Sequence, residues 1–395
     1  MLYKKERPAV LMLQDGRYFR GIGFGATKIV GGEIVFTTIT GAGYNETLTD
    51  PSYKGQIVVM THPLVGNYGV PAWEKDEFGI IKYFESDSIK VSGFVVNECC
   101  KNPSHYESSK TLNEFLLEED IPGIEWIDTR AITKILREEG VQLGLLAVLN
   151  PGEKPNIEEL KEKAKNVIDP NLRQLASEVS TKEVIIYKPN NPIGKVVVLD
   201  LGVKLNIIRN FVKRGLEVVI LPYSVSYERI MEYKPNGVFI SNGPGDPAIY
   251  KNAINTSRLL IENNIPTMGI CLGNQIIGLA AGGTSYKLKY GHRGGNKTVI
   301  NTETQQCYIT SQNHGFCVKN FEMGGFKEFL KNIDDNSNEG LIHKEKPIFA
   351  VQFHPEACPG PVDTEFLFDR FKRWCAQLAL ISIDSKTTRY IRILP

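Results

Sequence analysis

One cysteine in this sequence of 395 residues stands where a nucleophile could act. Cys271 lies in the run Gly269-Ile270-Cys271-Leu272-Gly273, after a short apolar strand and before a predicted helix over 275–281. This G-x-C-x-G pattern is the cysteine form of the nucleophile elbow, a sharp strand-to-helix turn that forces the side chain outward. A helix N-terminus also favours the thiolate over the thiol. On the pentapeptide alone, a buried cysteine beside packing glycines explains the pattern equally well.

A histidine and a glutamate two residues apart could complete the chemistry. His354 and Glu356 follow a predicted strand over 348–351 in the run Phe353-His354-Pro355-Glu356. Residues i and i+2 of an extended segment point to the same side. Glu356 can therefore orient His354, or share its proton, while His354 activates the thiol. An isolated H-P-E is more typical of a surface turn, but together with the elbow it predicts a Cys–His–Glu triad.

A loop rich in glycine and proline supplies the third candidate. It follows a predicted strand over 238–240 and reads Ser241-Asn242-Gly243-Pro244-Gly245-Asp246-Pro247. Such a fixed loop with few side chains can aim backbone N–H groups, notably that of Gly243, at a substrate. The N–H of Leu272, just after the cysteine, is placed to bind an oxyanion in the same way. A plain turn is the alternative interpretation of the loop.

Strands and helices that alternate along the chain must position these loops. Helices near 205–215 and 252–263 separate strands that are continuously apolar. This alternation predicts an α/β fold with a doubly wound, mostly parallel sheet covered on both faces. Ligands of such sheets bind beyond the carboxyl ends of the strands, so the loops that follow strands are expected to be functional. The predicted strands cover 196–199, 218–221, 238–240 and 267–270.

The chain is long enough for two domains at roughly 100–200 residues each. Residues 1–150 carry short apolar runs broken by glycine and proline, with a helix over 129–139, and are predicted to form a mixed α+β domain. Residues 151–194 are predicted as a helical segment and a linker, 195–380 as the α/β domain, and 381–395 as a tail without an assigned role.

Composition excludes several classes of partner. The 46 basic and 45 acidic residues leave a net charge of +1. The chain therefore has no excess of positive charge for binding the phosphates of nucleic acid. No run of about 18 apolar residues exists to span a membrane, and the N-terminus lacks the apolar stretch of a signal peptide. The seven cysteines are scattered without a C-x-x-C pair, which predicts neither a metal site nor a redox pair. A cytoplasmic, thiol-reduced protein is expected.

Two glycine-rich segments imitate nucleotide-binding motifs. Residues 21–26 fit G-x-G-x-x-A, but a strand pattern follows where the dinucleotide motif requires a helix. Residues 291–298 nearly fit a P-loop, but Asn296 stands where the second glycine is required. Neither segment predicts a nucleotide site on this chain.

The three candidate motifs together resemble those of the class I, triad-type glutamine amidotransferases. The similarity narrows to the family of the carbamoyl phosphate synthetase small subunit and runs from about residue 9 to 375. The segments that carry this narrower resemblance are 48–53, 66–69, 127–130, 136–137, 290–296, 310–316 and 354–361.

This resemblance implies a glutaminase with the class I amidotransferase fold in its C-terminal domain. Cys271 would be the nucleophile, with His354 and Glu356 completing the triad. Ammonia would pass to a large subunit that uses it to make carbamoyl phosphate for arginine and pyrimidine synthesis. The residues that the resemblance implies as glutamine contacts are Ser52, Gly243, Gly245, Leu272, Gln275, Asn313, Gly315 and Phe316.

The N-terminal domain has the size of a full domain but no catalytic constellation of its own, so it is predicted to dock the large subunit. By the resemblance, Ser52 would reach from it to the glutamine site. No cofactor and no metal are expected on this chain, because ATP and Mg²⁺ would bind the partner. The sequence departs from the family at Asn274, where a histidine is usual. Three alternatives stay open: the glutaminase of another synthetase, a non-catalytic binding module, and an unrelated cysteine hydrolase.

Overall fold

A computed structural model of the protein describes residues 6–383, with side chains described as far as residue 377. The chain forms two compact units. The first comprises the residues up to Glu74 together with Ile81–Leu175, and the second comprises Lys75–Ile80 and the chain from Ala176 onward. The main division thus falls inside the stretch 151–194 that the sequence predicted as helical segment and linker. Within residues 6–383, no helix is long and apolar enough to cross a membrane.

The first unit is built around a closed barrel. The strands are β1 (Pro8–Leu13), β2 (Tyr18–Gly25), β3 (Ile29–Thr37), β4 (Gln56–Met60), β5 (Leu64–Val65), β6 (Gly93–Val95), β7 (Glu98–Cys99), β8 (Pro122–Glu125) and β9 (Gln142–Val148). Seven of them form the barrel in the order β1-β2-β8-β6-β4-β3-β9. The pairs β8–β6, β6–β4 and β4–β3 are parallel, and the other pairs are antiparallel. The helices are α1 (Tyr44–Thr49), α2 (Leu112–Glu118), α3 (Thr129–Glu139) and α4 (Ile157–Lys165).

Alternation along the barrel strands decides which helices cover them. Successive side chains of a strand point to opposite faces, so Leu11 and Leu13 join one buried cluster of barrel residues. Val10 and Met12 point the other way and pack with Leu160 of α4. The predicted helical segment after residue 150 is therefore part of the first unit, because α4 buries its apolar face on the barrel.

Helix α3 confirms the helix predicted over 129–139. Asp128 begins it by accepting a hydrogen bond from the N–H of Ala131 at 2.8 Å, which satisfies one of the free donors of the first turn. Ile132 and Leu136 are fully buried in the same cluster as Leu11. The N-terminal domain is thus the predicted mixture of helices and strands, but the closure of its sheet was not predicted.

The second unit contains a sheet of ten strands within the described residues. The strands are β10 (Ile185–Tyr187), β11 (Gly194–Asp200), β12 (Leu216–Pro222), β13 (Gly237–Ile240), β14 (Thr267–Ile270), β15 (Thr284–Asn301), β16 (Cys307–Lys319), β17 (Phe326–Asn332), β18 (Asn338–His343) and β19 (Ile348–Val351). Their order in the sheet is β10-β12-β11-β13-β14-β19-β18-β17-β15-β16. The strands from β12 to β19 in this order are parallel, and the other pairings are antiparallel. The helices are α5 (Ala176–Val179), α6 (Leu205–Lys213), α7 (Tyr227–Glu232), α8 (Lys251–Glu262), α9 (Leu272–Ala280) and α10 (Phe366–Ile383).

Both faces of the parallel strands are covered, which confirms the predicted doubly wound α/β fold. Val198 of β11 is buried in one cluster with Phe211 of α6. Its neighbour Leu199 is buried in a second cluster with Leu260 of α8 and Ile276 of α9. Strands buried on both faces need the continuous apolar runs that the sequence shows.

Two boundaries of the sequence analysis need correction. Within the predicted linker, β10 pairs antiparallel with β12, because Ile185 and Ile186 offer an apolar edge strand despite the prolines that follow. At the other end, α10 continues to Ile383, so the first residues of the predicted tail 381–395 extend this helix. The rest of that tail lies outside the described residues.

A short segment from early in the chain completes the second unit. Asp76 accepts a hydrogen bond from Nε of Arg209 on α6 at 2.8 Å. Ile80 is fully buried in the cluster that contains Phe211. Lys75–Ile80 therefore belongs to the second unit although the sequence on both sides of it belongs to the first.

Candidate active site

Cys271 occupies the turn between β14 and α9 in a backbone conformation that side-chain-bearing residues avoid. Its φ is 55° and its ψ is −104°, and such strained residues cost of the order of 1–3 kcal/mol unless their surroundings hold them. The N–H of Cys271 donates to the carbonyl oxygen of Val351 at 2.8 Å, which fixes the turn to the next strand of the sheet. Strain that is held in place at a cysteine points to a functional position.

The two glycines of the G-x-C-x-G run allow the turn to pack tightly. A Cβ atom on Gly273 would lie 2.1 Å from the carbonyl oxygen of Ile240. A Cβ atom on Gly269 would lie 2.8 Å from the backbone of Gly273. Any larger residue would push α9 away from β13 and β14, so the glycines set the position of the cysteine between them.

His354 and Glu356 form a buried pair just beyond the carboxyl end of β19. Nδ1 of His354 lies 2.6 Å from Oε1 of Glu356, and the N–H of His354 donates to the carbonyl oxygen of Ser311 at 2.8 Å. Nε2 of His354 makes no hydrogen bond of good geometry to the described residues. Because Nδ1 is held by the carboxylate, Nε2 is the ring nitrogen left for the thiol of Cys271.

The charges of this pair are set by its neighbours. Burial lowers the pKa of His354, but the carboxylate of Glu356 and the thiol of Cys271 outweigh burial and raise the pKa to about 10. Burial raises the pKa of Glu356, but the ammonium group of Lys204 and the ring of His354 reverse this and lower the pKa to about 2. A charged imidazolium beside a charged carboxylate therefore stands next to the cysteine at neutral pH.

Lys204 is a site residue that the sequence analysis missed. Its Nζ donates to Oε1 of Glu356 at 3.0 Å and to the carbonyl oxygen of Ala357 at 2.6 Å, and its side chain is only 3% exposed. Nδ2 of Asn206 adds a hydrogen bond to the carbonyl oxygen of Glu356 at 2.5 Å. Lys204 follows the carboxyl end of β11, so the rule that functional loops follow strands could have singled it out.

The loop 241–247 lies against the elbow. A Cβ atom on Gly243 would lie 2.3 Å from the carbonyl oxygen of Leu201 and 3.0 Å from the side chain of Leu272. Gly245 has a φ of +87°, which favours glycine. Leu272 is the first residue of α9, where N–H groups lack a partner inside the helix. The structure thus brings Gly243 and Leu272 together beside Cys271.

Strand β16 contributes carbonyl groups that contact the thiol of Cys271 and the helix that follows it. Sγ of Cys271 lies 3.6 Å from the carbonyl oxygen of Asn313. Nε2 of Gln275 donates to the carbonyl oxygen of Phe316 at 2.8 Å. Gly315 lies between Asn313 and Phe316 on β16. Four of the predicted glutamine contacts therefore sit in one neighbourhood around the cysteine.

Asn274, where the family usually has histidine, is fully buried, and its side chain hydrogen-bonds outside the Cys271–His354–Glu356 triad. Its Nδ2 donates to Oε1 of Gln352 at 3.3 Å, and the same oxygen accepts from Nε2 of Gln275 at 3.2 Å. The residue helps to fix the side chain of Gln275 through this shared acceptor.

Ser52, the remaining predicted contact, lies in the first unit. It is the middle residue of the short 3₁₀ helix Pro51–Tyr53, and its N–H donates to Oδ1 of Asp50 at 2.9 Å. The residue is largely buried.

One cluster of side chains in the described part of the chain could hold a metal ion. His292, His314 and Glu339 are all buried, and a ligand atom from each lies within 4.8 Å of the others. The cluster belongs to the antiparallel part of the sheet in the second unit. The sequence analysis did not single out these three residues together, because they are distant from one another in the chain.

Comparison with known proteins places both halves of the chain. Residues 197–374 match the family described as glutamine amidotransferase class-I, and residues 11–146 match the family described as carbamoyl-phosphate synthase small chain, CPSase domain. The chain is 52% identical over 362 residues to the carbamoyl phosphate synthase small chain of Methanocaldococcus jannaschii, covering 91% of this chain and 97% of that protein.

Two further relatives agree with this assignment. The chain is 45% identical to the carbamoyl phosphate synthase small chain of Pyrococcus furiosus, covering 91% of this chain and 96% of that protein. It is 44% identical to the carbamoyl phosphate synthase arginine-specific small chain of Chaetomium globosum, covering 92% of this chain and 77% of that protein. With identity at this level along nearly the whole length, the chain belongs to the carbamoyl phosphate synthase small chain family.

Proposed function

We propose that this chain is the glutaminase subunit of a glutamine-hydrolysing carbamoyl phosphate synthetase. One observation carries the proposal: a strained cysteine elbow lies beside a buried His–Glu pair, in a chain whose relatives are named as carbamoyl phosphate synthase small chains. The substrate of the proposed reaction is L-glutamine, and its products are glutamate and ammonia.

In the proposed mechanism, Cys271 attacks and His354 moves the proton. The thiolate of Cys271 adds to the amide carbon of glutamine, and the thiol proton resides on Nε2 of His354. His354 gives this proton to the amide nitrogen, the C–N bond breaks, and ammonia leaves a thioester on Cys271. Water then attacks the carbonyl carbon of the thioester, and His354 takes one of the protons of the water. The C–S bond breaks, glutamate leaves, and the thiolate of Cys271 is regenerated beside the protonated His354.

Three further groups support the reacting atoms. The N–H groups of Leu272 and Gly243 stabilise the oxyanion that forms on the amide carbonyl. Glu356 holds Nδ1 of His354, so that Nε2 faces the substrate and the imidazolium is stabilised. The raised pKa of His354 and the lowered pKa of Glu356 support these two roles.

Glutamine itself is proposed to contact residues from three segments around the elbow and one in the first unit. The proximity of Gln275, Asn313 and Phe316 to Cys271 supports the first part of this assignment. The proposed contacts are Ser52, Gly243, Gly245, Leu272, Gln275, Asn313, Gly315 and Phe316.

The ammonia is proposed to be used by a large subunit that binds ATP and Mg²⁺. The resulting carbamoyl phosphate would supply arginine and pyrimidine synthesis, and the first unit would dock this partner. The cytoplasm is the proposed location, which the seven free cysteines support.

Covalent labelling tests the assignment of the nucleophile. A glutamine analogue with an electrophilic carbon is expected to modify Cys271 and none of the other six cysteines, because Cys271 lies beside His354 and the proposed glutamine contacts. Cys317 follows Phe316 on β16, but burial raises the pKa of its thiol well above the usual value. Peptide mapping by mass spectrometry identifies the labelled residue, and Cys307→Ser, at an exposed cysteine, serves as the control that should label normally. A label on Cys317 or Cys358 would refute the assignment.

Substitution of Lys204 tests a positioning role through Glu356. Lys204→Met leaves a buried carboxylate without its ammonium partner, and breaking a buried pair costs about 3–5 kcal/mol. Since Lys204 lowers the pKa of Glu356, its loss should raise that pKa, and the acid limb of glutamine hydrolysis should move to higher pH. The measurement is the pH profile of kcat.

Lys195→Met is the matched control, because Lys195 lies on β11, the strand that Lys204 follows, and contacts the partly exposed Glu217. Its acid limb should match that of the wild type. An unmoved acid limb in a folded Lys204→Met variant would contradict the role of the lysine.

A further inference from the structure

A buried polar cluster lies in the antiparallel part of the second unit, apart from the proposed triad. His292 on β15, His314 on β16 and Glu339 on β18 each place one potential ligand atom within 4.8 Å of the others. His292 and His314 are about 5% exposed and Glu339 is fully buried. Titratable groups at such depth need a partner that satisfies their charge or their lone pairs.

The outer side of each member is held by a hydrogen bond. Nε2 of His292 donates to Oδ2 of Asp335 at 2.9 Å. Nδ1 of His314 donates to the carbonyl oxygen of Phe316 at 3.0 Å. Ligating histidines in metalloproteins almost always donate their other N–H to a carboxylate or a carbonyl group in this way, which fixes the tautomer and aims the free nitrogen.

Glu339 is held by the same kind of outer contact. Nδ2 of Asn332 donates to its Oε1 at 2.9 Å. Its other oxygen, Oε2, is buried and makes no hydrogen bond of good geometry to the described residues. Burial raises the pKa of this carboxyl, although His292, Asn332 and Gln312 act to lower it.

Nitrogen and oxygen atoms that could bind a metal ion face one another on the inner side of the cluster. Nδ1 of His292 lies 3.5 Å from Oε1 of Glu339, and the long contact from Nδ2 of Asn332 to that nitrogen is also 3.5 Å. Nε2 of His314 lies 3.2 Å from Oε1 of Gln312, whose Nε2 is directed to Oγ1 of Thr310. Because Nδ1 of His314 donates to the carbonyl oxygen of Phe316, Nε2 is the ring nitrogen whose lone pair faces the cluster.

We propose that His292, His314 and Glu339 form a binding site for a divalent transition-metal ion, with Zn²⁺ as the ion that fits the donors best. Two imidazole nitrogens and one carboxylate are a ligand set that zinc takes at bond lengths of about 2.0–2.2 Å. A tetrahedral site with such bonds has edges of about 3.4 Å, close to the 3.5 Å between Nδ1 of His292 and Oε1 of Glu339. Oε1 of Gln312 or a water molecule completes the fourth position. Mg²⁺ fits less well because it prefers oxygen ligands.

A proton is the competitor of the metal at this site. Burial lowers the pKa of His292, but Glu339 and Asp335 outweigh it and raise the pKa, so an imidazolium between two carboxylates is the metal-free alternative. The proposal departs from the sequence-based expectation that the chain holds no metal. It is independent of the proposed glutaminase function, since its test measures metal binding alone.

Co²⁺ is the probe that separates this site from the seven cysteines. The full chain, freed of metal by a chelator, is titrated with Co²⁺ and followed by visible absorption. The expected result is one Co²⁺ per chain, with the spectrum of nitrogen and oxygen ligands, without the charge-transfer band of thiolate ligands, and unchanged in Cys271→Ser. Competition with Zn²⁺ should displace the Co²⁺.

Graded variants test the anionic ligand Glu339 and the outer partner of His292. Glu339→Gln removes the anionic ligand and should weaken binding by more than about 100-fold, whereas Asp335→Asn, which removes an outer partner, should weaken it by about 10–100-fold. His105→Gln, in the first unit, should bind as the wild type does. Should Glu339→Gln fail to fold, Asp335→Asn at its partly exposed carboxylate still decides the matter.

Three outcomes would overturn the proposal: no stoichiometric Co²⁺ binding, a spectrum dominated by thiolate ligands, or wild-type affinity in folded Asp335→Asn and Glu339→Gln. In each of these cases the cluster is an ion pair held by the proton on His292.

Discussion

Cys271→Ser is expected to abolish carbamoyl phosphate formation from glutamine while leaving formation from ammonium salts intact. A serine hydroxyl is not ionised by a helix terminus and a neighbouring histidine, so the loss with glutamine should reach at least about 10⁴-fold, as for other triad nucleophiles. The synthetase subunit still receives nitrogen when ammonia is supplied from solution. The measurement is the carbamoyl phosphate output of the variant complex with each nitrogen source, with ATP and bicarbonate present.

The rescue has a pH dependence of known sign. Ammonia is mostly protonated near neutral pH, so rescue by a fixed concentration of ammonium should improve as the pH is raised. Cys307→Ser is the matched control and should use both nitrogen sources normally, because Cys307 is exposed on β16. A variant that ammonium does not rescue would show that Cys271 has a role beyond amide hydrolysis. A wild-type pair that uses neither source would refute the proposed synthetase.

The second large effect is expected at the base and its orienting carboxylate, in a definite order. His354→Asn removes the group that moves every proton, and its kcat for glutamine should fall by about 10⁴-fold or more. Glu356→Gln removes only the group that aligns and charges the imidazole, so its loss should be smaller by about 10- to 100-fold. Steady-state kcat values in the reverse order would overturn the two roles.

Glu356→Gln also carries a second readout. The carboxylate is the largest influence that raises the pKa of His354, so the pKa should fall in the variant. As the pH rises, the variant's imidazolium then loses its proton earlier than that of the wild type. The alkaline limb of the kcat profile should therefore move toward neutrality. Glu365→Gln, at a carboxylate that pairs with Arg214 at the surface, should leave the limb in place.

The parts of the site that the sequence predicted are those whose constraints are local. The elbow around Cys271 needs glycines within two residues on each side, because Gly269 and Gly273 contact the backbone of the same turn and its adjacent strands. The His354–Glu356 pair is set by the alternation of one extended segment. Strands buried on both faces likewise show themselves as apolar runs, which is why the parallel sheet was predicted.

The parts that were missed depend on residues far apart in the chain. Lys204 reaches Glu356 across 152 positions. Its place after β11 could mark Lys204 as a candidate site residue, but neither residue type nor spacing identifies Glu356 as its partner. The barrel closes through pairings such as β1 with β9, which short strands with weak local patterns do not specify. The thiol of Cys271 meets a backbone carbonyl of Asn313, and a backbone group leaves no mark on residue type.

The placement of Lys75–Ile80 means that no single cut separates the two units. A fragment that begins after Leu175 lacks Asp76 and Ile80, and with them a partner of Arg209 and part of its own core. During synthesis the ribosome delivers this segment before any strand of the second unit exists. The second unit therefore completes its folding with a segment that is synthesised long before the rest of that unit. A gene fragment that expresses the second unit alone must add the sequence Lys-Asp-Glu-Phe-Gly-Ile to the chain that begins at Ala176.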